Sequence, residues 1–504
     1  MPATGRATRF LAAASAALLA IGLASASANA LPVIPVEDKG IDVPLTTRED
    51  SNQPDIVVIY TDDQRKGSEK LMPQVKKLLI NQGVSFTDAH TPTSTCCPSR
   101  VSLLTGRLAS DTGVWTNWPP YGGFEAFMTE IGDSDTIATR LSDAGYRTAL
   151  VGKYLNGYAK SSTREEYAGS ADYIPPGWDQ WFTFGGPARV ANPENSAYYD
   201  YWTMSSVDGS RPTFRYHGEN PEDYSTRVFG SMAVDVVESA PKDQPLFMLF
   251  TPNAPHSKYT PDPKYKKAVV PDAKNVAGFN DVSGKPKWIQ RRDPVKESAA
   301  RNVRKNQMRT LMSVDDVVTD LVSALEERGT LSNTLLVFAS DNGYTWGEFR
   351  LLGTKNYPYS TRIPLIMRWD DGGFTGGVRD QRLSANIDIT RTALAAAGAD
   401  TSGLGDALDL TDPKAMRKHL SIAAWRNRGK SDRRMASYCA VRTPNWLFVH
   451  YNRNRFEELY DVRRDPNMLV NLIDDVSVRV HADALRNMTQ QTCDPAPPEF
   501  SWTK

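Results

Sequence analysis

The sequence has no excess charge of either sign: 59 Lys and Arg stand against 59 Asp and Glu over 504 residues. That balance excludes a broadly basic nucleic-acid binder and a protein with a strongly acidic tail. Beyond the first thirty residues there is no apolar run near the ~20 residues that span a bilayer, and there is no internal repeat or low-complexity tract. Cysteine is scarce, at four residues, and histidine nearly so, at six. What is present is a globular composition, 40% apolar and 10% aromatic, with eleven Trp. The chain is long enough to bury a substantial core.

Residues 1–30 read as a secretory signal peptide. Arg6 and Arg9 precede an apolar run from Leu11 to Leu23, and Ala28-Asn29-Ala30 is a small-x-small cleavage pattern. The expectation is a secreted, extracellular mature protein, cleaved near Ala30, with no stable membrane insertion. Residues 31–50 read as an N-terminal extension. In an oxidising compartment Cys439 and Cys493, both in the C-terminal fifth, could close one loop. Cys96 and Cys97 are adjacent, where a bridge would be strained.

Ile56 to Tyr60 is a continuous apolar, β-branched run, as a buried parallel strand requires. Thr148–Val151, Leu246–Phe250, Leu335–Phe338 and Leu365–Met367 repeat it, with helical patterns at Ile137–Ala144 and Asp315–Leu325 between them. Strands alternating with helices predict an α/β fold with a mainly parallel sheet, over a domain spanning 51–414. The pair Asp315-Asp316 is read as the start of its helix, where acid favours the dipole. Residues 155–225 and 258–305, rich in Gly, Pro, Asn, Tyr and charge, read as surface excursions. Trp178, Trp181, Tyr198, Tyr199 and Trp202 there are read as packing residues rather than sugar-stacking ones. From 415 to 504 two strands and a helix over 476–491 predict a small antiparallel α+β subdomain.

Polar clusters follow four of the strands: Asp62-Asp63, Lys153, His256 and Asp341-Asn342. Ligands of open α/β sheets bind at these carboxyl ends. Asp62, Asp63, Asp341 and Asn342 offer only oxygen, which selects a hard cation, Ca²⁺ or Mg²⁺, over zinc. Three carboxylates crowd together only with a cation to offset their repulsion. Lys153, His256 and Lys355 would then surround an anionic group beside the metal. The other histidines, His90, His217, His419, His450 and His481, are assigned no role.

The segment Cys96-Cys97-Pro98-Ser99-Arg100, followed by Leu104-Thr105-Gly106-Arg107, resembles the sulfatase signature. The resemblance extends over Asp55–Asp63, Gly145–Lys153, Pro255-His256, Ser340–Gly343, Lys355 with Arg362-Ile363-Pro364, and the C-terminal region. It implies an alkaline-phosphatase-like fold, a large sheet sandwiched by helices. It also implies oxidation of Cys96 to formylglycine by a formylglycine-generating enzyme, and a Ca²⁺ site in which Cys96 joins Asp62, Asp63, Asp341 and Asn342. In the implied mechanism one hydroxyl of the aldehyde hydrate attacks sulfur and the second, on losing its proton, releases sulfate. Arg100 would stabilise the hydrate, Lys153 and Lys355 the sulfate oxygens, and His256 would protonate the leaving alcohol. The implied substrate is a sulfated glycan or small molecule, with no nucleic-acid partner. The motif style is similar to the N-acetylglucosamine-6-sulfatase branch and to arylsulfatases. Leu155 and Phe349 stand where many members carry histidine, with Asn156 the candidate to replace the former, and Tyr359 to Arg362 is a shortened segment. A phosphonate or phosphate ester hydrolase and a non-catalytic binding protein remain as alternatives.

Overall fold

A run such as Ile56 to Tyr60 has no solvent face and needs a layer on each side. In the computed structural model, which describes residues 53–158, 173–186, 198–271, 276–425, 435–452 and 455–502, this run lies at the centre of a ten-stranded sheet. In chain order the strands are β1 (Asp55–Thr61), β2 (Val84–His90), β3 (Arg147–Gly152), β4 (Gln180–Phe184), β5 (Tyr201–Val207), β6 (Thr213–His217), β7 (Leu246–Thr251), β8 (Thr334–Ser340), β9 (Leu365–Arg368) and β10 (Val378–Ala385). Across the sheet they run β10-β2-β9-β8-β1-β7-β3-β4-β5-β6. The block β8-β1-β7-β3-β4 is parallel. β9 is reversed against both neighbours, and β5 and β6 close the far edge antiparallel.

The two-residue period of a strand sorts the core into two layers. Ile56, Val58 and Tyr60 join Leu249, Leu335 and Val337 on one face. Val57 and Ile59 join Met248, Phe250, Leu336 and Phe338 on the other. The principal helices are α1 (Cys96–Thr105), α2 (Gly123–Glu130), α3 (Ile137–Asp143), α4 (Ser225–Ser239), α5 (Glu297–Arg328) and α6 (Asn386–Ala397). The first face is covered by α1, α2, α3 and α6, the second by α4 and α5. This is the sandwiched, mainly parallel architecture expected.

A second sheet of four antiparallel strands follows: β11 (Leu420–Ala424), β12 (Tyr438–Arg442), β13 (Trp446–Tyr451) and β14 (Glu457–Asp461), paired in that order. A helix, α7 (Arg479–Thr492), packs its Ala482 and Leu485 on Val441, Phe448 and Leu459. Cys439 of β12 is disulfide-bonded to Cys493, just past α7.

Two expectations need correction. Asp315-Asp316 does not open a helix: both residues lie midway along the 32-residue α5. The Asp315 carboxylate instead accepts the backbone N–H groups of Gln74 at 2.9 Å and Val75 at 2.8 Å, capping the short helix Pro73–Val75 from outside. Charge density also masks the first half of α5 as surface excursion, although Ala300, Met308, Leu311 and Val314 keep its inward stripe. The signal segment and the extension lie outside the described residues. Among the described residues no helix is long and apolar enough to cross a membrane.

Candidate active site

The parallel block delivers its chain reversals to one edge. Asp62 and Asp63 follow β1, Lys153 follows β3, His256 lies beyond β7, and Asp341 and Asn342 follow β8. Adjacent strands β8, β1, β7 and β3 thus place residues hundreds of positions apart side by side. Local hydrogen bonds fix the turns. The Asp62 N–H donates to Ala254 O at 3.2 Å and the Asp341 N–H to Thr61 O at 3.0 Å. Asp63 holds φ +66°, a left-handed conformation that a non-glycine residue adopts at a cost and that here turns its carboxylate into the cluster. Its N–H donates to Asp341 Oδ1 at 3.0 Å.

Cys96 arrives from the other direction, at the first residue of α1, which ends on Gly106 in the left-handed region. Its Sγ lies 3.5 Å from Asp62 Oδ1 and 4.0 Å from Asp63 Oδ1. Lys355 Nζ reaches the same sulfur at 3.1 Å and Asp63 Oδ1 at 2.6 Å. Lys153 Nζ bonds Asp62 Oδ2. One turn into α1, Arg100 donates through Nε to Asp341 Oδ2 at 3.0 Å and through a terminal nitrogen to Lys153 O at 3.0 Å. Asn342 Nδ2 donates to Asp63 Oδ1 at 2.8 Å. His256 Nε2 lies 3.8 Å from Asp63 Oδ2, while its Nδ1 contacts Ser257 O at 2.8 Å. All nine residues singled out from the sequence therefore meet.

Burial and mutual charge set the protonation of the cluster. Burial works to raise the Asp62 carboxyl, but Lys153, His256, Arg100 and Lys355 outweigh it and hold Asp62 well below the carboxylate range. Asp341 moves the other way, raised by burial and by Asp62. The Cys96 thiol is 1% exposed, and burial followed by the Asp62 charge pushes it up to about 12. As a thiol it is neutral and a poor nucleophile at neutral pH. Burial lowers His256.

Donor atoms of Asp62, Asp63, Cys96 and Asp341 all lie within 4.8 Å of one another. Asp63 Oδ2 and Asn342 Oδ1 are buried with no hydrogen-bond partner among the described residues. Buried oxygen acceptors left unpartnered are what a hard cation satisfies, so the donor set fits a divalent metal.

Several residues of the site carried no sequence signal. Ser94 Oγ donates to Lys355 O at 2.7 Å, and Thr95 Oγ1 to Asn356 Oδ1 at 2.6 Å, stapling the approach to Cys96 onto the Lys355 segment. Asn386 Nδ2 donates to Ser99 O at 2.9 Å and to Tyr60 Oη at 3.1 Å, tying α1 to α6 and β1. Arg65 bonds Glu348 Oε1 at 2.9 Å and Tyr359 Oη at 3.2 Å. Leu155 is buried in the core, and Asn156 Oδ1 has no hydrogen-bond partner among the described residues. Its main-chain oxygen accepts from the Phe124 N–H at 2.7 Å. Phe349 is buried beneath Lys285 Nζ, 3.9 Å from the ring centre. Trp178, Trp181 and Tyr198 are buried packing residues.

A cluster of acidic side chains that fits a divalent cation, at the carboxyl edge of a helix-sandwiched sheet and with a buried helix-initial cysteine beside it, defines the class of site. The sulfatase family pattern matches residues 54–399, and that of the N-sulphoglucosamine sulphohydrolase C-terminal region matches 347–494. The chain belongs to the sulfatase family. It is 33% identical over 365 residues to human N-acetylglucosamine-6-sulfatase, covering 69% of this chain and 62% of that protein. The chain thus spans about three fifths of the length of these curated N-acetylglucosamine-6-sulfatase relatives. A solved structure in complex with its substrate D-glucosamine-2-N,6-O-disulfate superimposes with TM-score 0.73 at 20% identity, covering 89% of this chain and all of that one. A phosphonate monoester hydrolase from Silicibacter pomeroyi does so with TM-score 0.65 at 17% identity, covering 88% and 96%. At these identities the two structures share the fold.

Proposed function

We propose that the protein is a secreted sulfatase that hydrolyses a sulfate ester of a sulfated sugar, with Cys96 oxidised to formylglycine as its nucleophile. The observation that carries this reading is the position of Cys96. Its side chain sits within 4.0 Å of two carboxylates and 3.1 Å of a lysine, at the start of a helix. A thiol held near 12 does nothing there, whereas an aldehyde hydrate supplies a hydroxyl nucleophile and a second hydroxyl through which sulfate is released. The oxygens of Asp62, Asp63, Asp341 and Asn342 would hold Ca²⁺, or Mg²⁺ in its place, which lowers the pKa of a bound hydroxyl.

The remaining residues act on the substrate. Lys355, against the Cys96 sulfur, and Lys153, on Asp62 beside it, meet the charge that gathers on sulfate oxygens in the transition state. The amino end of α1 adds its partial positive charge at the same point. Arg100 is spent on Asp341, Asp62 and Lys153 O, so its role is to hold the carboxylates and the Lys153 turn in register. His256 presents Nε2 to the cluster and donates a proton to the departing alcohol oxygen. The signal-like sequence of residues 1–30 and the Cys439–Cys493 disulfide support export to an oxidising compartment.

Mass spectrometry of the tryptic peptide Leu78–Arg100 from the native secretor tests the first step. Formylglycine replaces one sulfur and two hydrogens by one oxygen at Cys96. That mass, with loss of sulfate release in Cys96→Ala, is the expected result; full activity with an intact thiol overturns the reading. Because the fold is shared with a phosphonate monoester hydrolase, nitrophenyl sulfate, nitrophenyl phosphate and phenylphosphonate esters are compared in the same assay. Preference for either phosphorus ester would reassign the reaction.

A further inference from the structure

Lys285 and Glu458 place two charges deep between the loops of the large sheet and the four-stranded sheet. Lys285, from the chain between β7 and α5, is 1% exposed, and Glu458 of β14 is fully buried. Lys285 Nζ donates to Tyr460 Oη at 2.7 Å and to Met468 O at 2.6 Å, and it stands 4.0 Å from Glu458 Oε1. The rings of Phe349, Tyr460 and Tyr357 surround it, with their centres at 3.9, 4.6 and 5.6 Å. The Glu458 carboxylate in turn takes two phenols. Tyr357 Oη donates to Oε1 at 3.0 Å, and Tyr451 Oη donates to Oε2 at 2.7 Å.

Withdrawing two charges from water is costly, and apolar residues of the same volume would usually hold such an interface at least as well. What the pair adds is direction, because each hydrogen bond fixes the place of one partner. The two phenols differ in where their chains lead. Tyr451 lies in β13, beside β14 in the same small sheet. Tyr357 belongs to the stretch that carries Lys355: its N–H donates to Lys355 O at 2.8 Å. Residues 353–357 are irregular backbone, so the place of Lys355 is set by what grips the stretch. On one side Ser94 Oγ holds the Lys355 carbonyl at 2.7 Å. On the other, Glu458 holds Tyr357.

We infer that Glu458, compensated by Lys285, is a positioning residue for Lys355: it grips Tyr357 from the small sheet and so holds the Lys355 ammonium at its 3.1 Å from Cys96 Sγ and 2.6 Å from Asp63 Oδ1. The inference rests on the sulfatase reading, in which Lys355 meets a sulfate oxygen. It adds that the C-terminal sheet takes part in that reaction through a side chain that never touches substrate.

The test compares Tyr357→Phe with Tyr451→Phe in the full chain. Each variant removes one phenol oxygen from the same carboxylate and keeps the ring. A purely structural role makes them equivalent, and both should lower Tm alike, by a few degrees. Only Tyr357→Phe loosens the Lys355 stretch. Its kcat/KM for nitrophenyl sulfate should fall about tenfold, while Tyr451→Phe stays within about twofold of the wild type. Inorganic sulfate, titrated by calorimetry, should bind Tyr357→Phe about threefold or more weakly at wild-type stoichiometry, and bind Tyr451→Phe as it binds the wild type. Unchanged stoichiometry separates a displaced lysine from a misfolded fraction. The inference is overturned by equal activities and sulfate affinities in the two variants, by lost stoichiometry in place of lost affinity in Tyr357→Phe, or by absence of sulfate binding in the wild type. Sulfate affinities that divide the variants as stated, in a wild type that cleaves no sulfate ester, would sink the sulfatase reading and not the positioning. Ester cleavage with equivalent variants would do the reverse.

Discussion

At the scale of single residues, the oxygen-rich cluster carries both a left-handed backbone and unpartnered buried oxygens. Asp63 in the left-handed region, the unpartnered Asp63 Oδ2 and the unpartnered Asn342 Oδ1 all fall within one cluster. Other ionisable groups are paired and serve stability, Glu457 among them. Glu457 is bonded by Arg486 at 2.6 Å and by His450 at 3.0 Å. Burial works to raise its carboxyl, but Arg486 and then His450 outweigh burial and lower it to about 2. A depressed folded value means that the stabilisation is complete above the unfolded value near 4.5 and disappears as pH falls through about 2. Urea denaturation of the wild type should therefore show stability falling over that window, and Glu457→Gln should flatten the fall. Solvent screening through Arg486, about one-third exposed, limits the difference to about 1 kcal/mol. An unchanged slope in the variant would show that other carboxylates govern the acid limb.

At the scale of elements, the site depends on strand ends that approach without side chains in the way. Gly152 closes β3 with φ +119°, and a Cβ there would stand 2.2 Å from Thr251 O on the neighbouring β7. The next residue is Lys153, whose carbonyl is held by Arg100. Gly152→Ala is expected to push β3 from β7 at the site edge, costing about 2 kcal/mol or more of stability. Activity should fall about tenfold or further, since small displacements of positioning groups are amplified in rate. Thermal unfolding and sulfate release measured together check this, and an active variant of wild-type stability would contradict it. The cap on Pro73–Val75 shows the same logic. Asp315 sits in mid-helix because another element needs a carboxylate there, and helical periodicity alone gives no hint of it.

At the scale of the whole molecule, the four-stranded sheet is joined to the large one close to Cys96. The Ala423 N–H donates to Pro92 O at 3.0 Å, four residues before Cys96. Ala423, Trp425, Cys439 and Cys493 pack with Ala109 and Trp115. The disulfide locks this corner across a sequence separation of 54 residues. Paired Cys439→Ser and Cys493→Ser substitutions should cost about 2–4 kcal/mol, read as a Tm lowered by several degrees. Nitrophenyl sulfate turnover below that Tm should remain close to wild type. A variant with unaltered Tm would show that the packed corner suffices without the bond.

Much of this was legible in the sequence. Continuous apolar runs marked five strands of the large sheet, four of them parallel as expected, while Leu365–Met367 lies antiparallel to both neighbours because strand direction is not a local property. Residue chemistry at their ends determined an oxygen-rich cluster, and the Cys96 to Arg107 signature determined the family. These are local properties, fixed by backbone preference, side-chain period and ligand hardness over a few residues. Edge strands such as β6, with Thr213-Phe214-Arg215-Tyr216-His217, escaped because half-exposed strands mix polar and apolar residues without a clean pattern. The juxtapositions belong to the tertiary structure. Lys355 meets Cys96, Asn386 braces Ser99, and Asp315 caps a helix far earlier in the chain only because the order β8-β1-β7-β3 and the docking of α1, α5 and α6 bring them together. Strand order and helix docking are set by burying two apolar sheet faces at once, a condition on the entire chain that no local window contains.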